Sequence, residues 1–239
     1  GCTEIIGGHK ARSHSWPYMA AIQSKNLDVF CGGALVEQQW VLTAAHCEIN
    51  ESEDRVVLGA NQPSIAEEEQ QIFKVMRFFR YDRFDLRTLD NDIMLLKLND
   101  TAKPNKYVKL LPVADSFEDL KPKTRCKVAG WGKKSSGKPS AYLKEAKLKI
   151  VDRESCDKKY GNDHTITNNM LCAIGKSKCR PSDASPGDSG GPLICAGQYR
   201  GIVSFGAECR KKRIPGVYTR LTEKYIDWIK RTISSDRDS

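Results

Sequence analysis

The sequence predicts an all-β architecture of barrel or sandwich type, finished by one C-terminal helix. Short runs with strand chemistry recur along all 239 residues, separated by Gly, Pro and Asn. Near the end, one segment switches from strand alternation to helical spacing.

In the first half, Tyr18 to Gln23, Val29 to Val36, Arg55 to Leu58, Ile72 to Phe79 and Ile93 to Leu98 read as strands. The second half repeats the habit with Thr124 to Gly130, Leu143 to Val151, Pro192 to Cys195, Gly201 to Phe205 and Gly216 to Arg220. Within Leu143 to Val151, Ala146, Leu148 and Ile150 alternate with lysines, the pattern of a half-buried strand. After Thr222, a candidate N-cap, Tyr225, Ile226, Ile229 and Ile233 fall on one helical face. Residues 234 to 239 carry no apolar anchor and are expected to fray.

Composition narrows the class. With 39 % hydrophobic residues spread evenly, the chain has the makings of a packed core, and it lacks both repeats and low-complexity linkers. No window approaches the apolar length of a membrane span, and the first residues lack signal-peptide layout, so any signal peptide is expected to be already removed. Nine cysteines without CxxC spacing fit an oxidising compartment. Two sequons, at Asn50 and Asn99, are glycosylation candidates that fit secretion. The formal charge of +9 reads either as plain solubility or as a polyanion site.

Three separated segments carry the chemistry: Leu42-Thr43-Ala44-Ala45-His46-Cys47, Asp90-Asn91-Asp92-Ile93-Met94-Leu95 and Gly187-Asp188-Ser189-Gly190-Gly191-Pro192. A serine hydroxyl is a poor nucleophile at neutral pH and needs a base, held in one tautomer, within reach. The order His, Asp, Ser, with a cysteine after the histidine and glycines around the serine, resembles the chymotrypsin and trypsin family. That resemblance runs from Ile5-Ile6-Gly7-Gly8 through Trp131 to the terminal helix.

The resemblance implies two packed six-stranded antiparallel β-barrels with a C-terminal helix. Residues 1–4 would be an activation propeptide and 5–239 the peptidase domain, its first barrel about 5–115, its second about 116–221 and its helix about 222–234. It further implies a serine endopeptidase with His46 as base, Asp92 as the group orienting it and Ser189 as nucleophile, and with an oxyanion hole on the N–H groups of Gly187 and Ser189. No metal or organic cofactor is implied, and His9, His14 and His164 are expected to be structural. Asp183, six residues before Ser189, matches the floor of the specificity pocket, so a buried carboxylate there selects Lys or Arg. Ser204, Gly206 and Gly216 match the pocket walls, and Ala184 in place of a frequent serine tilts the expectation toward Arg.

Ile5-Ile6-Gly7-Gly8 resembles the mature N-terminus of this family, whose freed ammonium pairs with the aspartate before the nucleophile, here Asp188. Four residues, ending in Glu4, precede Ile5, so the chain reads as a zymogen. An acidic residue there gives a trypsin-like activator nothing to bind. It resembles instead the granule granzymes, activated by a dipeptidyl exopeptidase, and four residues are two dipeptides. Ser204-Phe205-Gly206, Asn105-Lys106-Tyr107-Val108 and Ile150-Val151-Asp152-Arg153 are similar to tryptase-type granzymes of the granzyme A kind, cytotoxic proteases stored in secretory granules or secreted. Arg83 stands where that kind carries its dimer-forming cysteine, so a monomer is expected unless Cys2 pairs between chains.

By the same resemblance, Cys31 pairs with Cys47, Cys126 with Cys195 and Cys156 with Cys172. Ser185 replaces the usual partner of Cys209, which leaves two alternatives: a Cys179–Cys209 bridge, or free thiols at Cys179, Cys209 and Cys2 beside a more mobile pocket wall. Basic clusters at 121–127, 133–138, 176–180 and 210–213 read as solvated faces, and Arg210 to Arg213 also as a hold for sulfated glycosaminoglycan. Serpin-type inhibitors and peptides with Arg or Lys at the cleaved bond are the implied partners, and no nucleic-acid motif is present. Two rivals stand beside this reading. A catalytically silent heparin-binding or antimicrobial homologue predicts a broken triad, and a digestive or plasma trypsin-like protease predicts Arg or Lys before Ile5.

Overall fold

The computed structural model describes residues 8–132, 140–175, 187–206 and 214–238. A two-residue strand, β1 (His9–Lys10), precedes the first barrel, whose strands are β2 (Met19–Gln23), β3 (Val29–Glu37), β4 (Trp40–Thr43), β5 (Arg55–Leu58), β6 (Gln71–Arg80) and β7 (Met94–Leu98). They close antiparallel in the order β2-β3-β4-β7-β6-β5. The second barrel follows with β8 (Arg125–Gly130), β9 (Lys144–Val151), helix α1 (Arg153–Tyr160), β10 (Met170–Gly175), β11 (Pro192–Cys195), β12 (Gln198–Phe205) and β13 (Gly216–Arg220). Its strands run β9-β10-β13-β12-β11-β8, and the β8–β9 pairing closes the ring while β1 adds to β9 from outside.

Period-two side-chain alternation decides which face of each strand turns inward. On β6, Phe73 and Val75 are buried while Ile72 and Met76 face out; on β9, Ala146, Leu148 and Ile150 are buried against exposed Lys147 and Lys149. Ten strands match the expected runs, and the two needed to close the rings, β4 and β10, do not. Trp40–Thr43 runs into the start of the histidine motif, and Met170–Gly175 is a short apolar run with no alternation to mark it.

Helix α1 also lies outside the expectation. It is polar, with only Cys156 and Tyr160 buried, but Asp152 caps it by accepting from Ser155 N at 2.9 Å. Helix α2 (Glu223–Arg237) buries Tyr225, Ile226, Ile229 and Ile233 as expected, roughly 1.5–3 kcal/mol for each large apolar side chain. It follows the second barrel in sequence yet packs on the first, where Tyr81 meets Tyr225 and Trp228 edge-on at 5.1 and 5.4 Å. Fraying from Ser234 is corrected: the helix continues through Arg237, because Asp236 pairs with Lys97 of β7 at 2.5 Å. Charge anchors what apolar contact does not. Thr222 occupies the N-cap position, but its hydroxyl makes no capping bond.

Candidate active site

His46 and Asp92 are brought together by the first barrel. Ala44-Ala45-His46 leaves the end of β4, and Cys47 is tied to Cys31 of β3 by a disulfide. Asp92 precedes β7 after a turn in which Leu89 and Asn91 take left-handed backbone, φ 57° and 58°. That turn is fastened from three sides. Asn91 Nδ2 donates to Arg83 O, Tyr225 OH of α2 donates to Asn91 Oδ1 at 2.7 Å, and Thr219 Oγ1 of β13 donates to Asp92 O at 2.8 Å.

The Asp92 side chain is fully buried, and a desolvated carboxylate persists only when donors surround it. His46 N donates to Oδ1 at 2.8 Å, His46 Nδ1 lies 2.6 Å from Oδ2, and Ser204 Oγ donates to Oδ2 at 2.6 Å. With the carboxylate as acceptor, Nδ1 carries the ring proton and Nε2 carries the lone pair. Side-chain exposure of 22 % leaves His46 reachable from solvent.

Ser189 stands in the seam between the barrels. Its carbonyl accepts from Gly32 N of β3 at 2.7 Å, and the next residue, Gly190, donates to Val203 O of β12 at 2.8 Å. The turn needs glycine at Gly190: φ is +85°, and a Cβ there would collide with Thr43 Oγ1 and Gly32 O. Ser189 is half-buried, and among the described residues hydrogen bonds join His46 to Asp92 but not to Ser189. Serine–histidine contacts in such sites commonly tighten only with substrate in place.

The other expected site residues fall as follows. Gly187, φ +104°, has its N–H engaged by Phe30 O at 3.0 Å, so in this conformation the expected oxyanion donor points at β3. Asp188 is buried, with Oδ1 accepting from Gly132 N at 2.8 Å. Ser204, assigned by sequence to the specificity pocket, directs its hydroxyl at Asp92; nothing in its neighbours in sequence signalled that partner. Gly206 follows β12 and is half-exposed, and Gly216 opens β13 buried. Glu4, Ile5, Asp183, Ala184, Cys2, Cys179 and Cys209 lie outside the described residues, as do the basic clusters at 133–138, 176–180 and 210–213.

All three expected disulfides, Cys31–Cys47, Cys126–Cys195 and Cys156–Cys172, are present. Asn50 and Asn99 are exposed; Asn50 Oδ1 accepts from Ser52 Oγ of its own sequon at 2.7 Å, and Asn99 Oδ1 accepts from Lys74 N. His9 pairs with Glu145 at 3.0 Å, His14 meets the Tyr107 ring at a tilt, and His164 lies against Phe205 and Tyr160. None of the three adjoins Asp92.

A family profile described as Trypsin matches residues 5–229. Granzyme A of Bos taurus is 40% identical over 98% of this chain and 89% of the relative. Trypsin-3 of Salmo salar is 38% identical over 98% of this chain and 94% of the relative, and Mast cell protease 3 of Ovis aries 40% over 96% and 89%. With two closed six-stranded barrels and a buried carboxylate holding a histidine at their seam, the chain belongs to the trypsin family of serine endopeptidases.

Proposed function

We propose that this chain is a tryptase-type granule protease of the granzyme A kind, cleaving after Arg or Lys and held as a zymogen while residues 1–4 precede Ile5. The observation that carries the catalytic part is the short bond between Asp92 Oδ2 and His46 Nδ1, 2.6 Å, in a site from which water is excluded on the carboxylate side.

Nε2 of His46 takes the proton from Ser189 Oγ as that oxygen attacks the scissile carbonyl carbon. Asp92 stays ionised and stabilises the imidazolium. The imidazolium then gives its proton to the leaving amine, and water repeats the sequence to free the acyl group. Negative charge on the tetrahedral oxygen goes to the N–H groups of Gly187 and Ser189. Gly187 N–H is held by Phe30 O in the conformation described, which supports a resting state whose oxyanion site still has to turn into place. Release of the Ile5 ammonium to pair with Asp188 drives that turn, and a dipeptidyl exopeptidase supplies the release. Asp183 at the pocket floor selects the cationic side chain. Secretion or granule storage, a monomeric state and control by serpin-type inhibitors belong to the same reading.

The test is covalent labelling with an organofluorophosphonate, in which the serine oxygen bonds to phosphorus, the P–F bond breaks and fluoride leaves, with the hydroxyl proton taken by His46. After trimming to Ile5, label is expected on Ser189 alone and in the parent chain but not in His46→Ala. Equal labelling of both, or of neither, contradicts the assignment.

A further inference from the structure

On the flank of the second barrel, β8 and β9 place cations directly opposite one another: Arg125 faces Lys149, and Lys127 faces Lys147. All four side chains are exposed. Like charges at opposed positions of an antiparallel pair destabilise the sheet. Charged residues often protect a free sheet edge, but these strands have none to protect, since β8 is bonded to β9 and β11 and β9 to β8 and β10. No ion pair with an acidic side chain engages any of the four among the described residues. Lys127 makes one partial exception to isolation, with its Nζ 4.9 Å from the Trp16 ring centre.

A cavity of about 530 Å³ opens at this array, with the same four cations around it and, on their face of the sheet, Ile174 opposite Lys149 and Ile194 opposite Lys127 on its lining. Solvated cations alone leave the apolar lining unexplained, and an apolar ligand alone leaves the cations so. An anion carrying an apolar anchor satisfies both. Arg125 and Lys127, like Lys147 and Lys149, are two residues apart on a strand, roughly 6.8 Å at the strand rise. An extended peptide repeats acidic side chains on one face at the same interval.

We propose that this flank is a docking site for an extended acidic peptide segment bearing an apolar residue among its carboxylates, distinct from the cleft at Ser189. The four cations pair with the carboxylates and the cavity takes the apolar side chain. The proposal does not rest on the catalytic reading.

The test uses the Ser189→Ala full chain and a fluorescein-labelled peptide of alternating Glu and Asp around a central Phe, followed by fluorescence anisotropy. Two control peptides carry Ser for Phe or Gln for the acids. Binding is expected to weaken at least about tenfold in the Lys147→Glu/Lys149→Glu double variant and with the Gln peptide, and about threefold or more with the Ser peptide. Lys147→Gln/Lys149→Gln, which removes charge without reversing it, should fall between, and serves if the reversed variant does not fold. Absent binding, binding unchanged in both variants, or no dependence on the Phe overturns the proposal. So does a heparin-derived oligosaccharide that needs Lys147 and Lys149 where the peptide does not, which would make the array a polysaccharide site.

Discussion

Ser204 donates its hydroxyl to Asp92 Oδ2 at 2.6 Å, the same oxygen that His46 Nδ1 approaches at 2.6 Å. The second barrel thereby helps to orient a carboxylate that the first barrel supplies. Removing the hydroxyl leaves a buried anion short of a donor, and a hydrogen bond to a charged group contributes about 1.5–3 kcal/mol. Ser204→Ala is expected to lower kcat at least about tenfold with KM little changed. Steady-state kinetics of the trimmed enzyme check this, and an unchanged kcat would place Ser204 outside the machinery.

Gly190→Ala should destabilise the fold by about 3 kcal/mol or more, because the residue combines left-handed backbone with contacts to Thr43 Oγ1 and Gly32 O that leave no room for a Cβ. Urea unfolding measures it. A cost below about 1 kcal/mol would show that the turn relaxes easily.

Asp119 accepts from Arg153 Nη1 and Nη2 at 2.7 and 2.9 Å, tying the inter-barrel connection to α1. Those bonds hold its pKa below the ordinary 3.8. A depressed carboxylate stabilises the fold above its unfolded pKa and loses that contribution as pH falls through the folded value. Asp119→Asn is therefore expected to cost about 1 kcal/mol at pH 7, the upper end for a solvent-screened pair, with the difference from the parent shrinking in acid and gone once pH has fallen through the depressed folded value. A pH-independent difference in urea midpoint would contradict the assignment.

Tyr199 is buried on β12, and its hydroxyl has no hydrogen-bond partner among the described residues. Burial pushes its pKa up, so the phenol stays protonated. Since an unpaired buried hydroxyl costs stability, Tyr199→Phe should leave Tm unchanged or raise it by a few degrees. A lower Tm by thermal scan would reveal a partner for the hydroxyl.

Much of the molecule was legible in sequence because periodicity and motif spacing report local constraints. Alternation disclosed β9, and the spacing of Tyr225, Ile226, Ile229 and Ile233 disclosed α2. β10 was not legible, since its first four residues are all buried and leave no polar face to alternate with. α1 has almost no apolar stripe, and only Asp152 at its start and Gly161 at its end marked it. Within the site, His46 and Asp92 were readable from their motifs, whereas the Ser204 hydroxyl bond and the engagement of Gly187 N–H by Phe30 O are long-range products of two barrels meeting.

The most direct test is hydrolysis of matched Arg, Lys, Phe and Asp peptide substrates before and after residues 1–4 are removed, with Ser189→Ala as control. Cleavage after Arg and Lys that appears only on trimming, and disappears in Ser189→Ala, is the predicted result. Verified trimming with no cleavage of any substrate, or equal cleavage before and after, would contradict it.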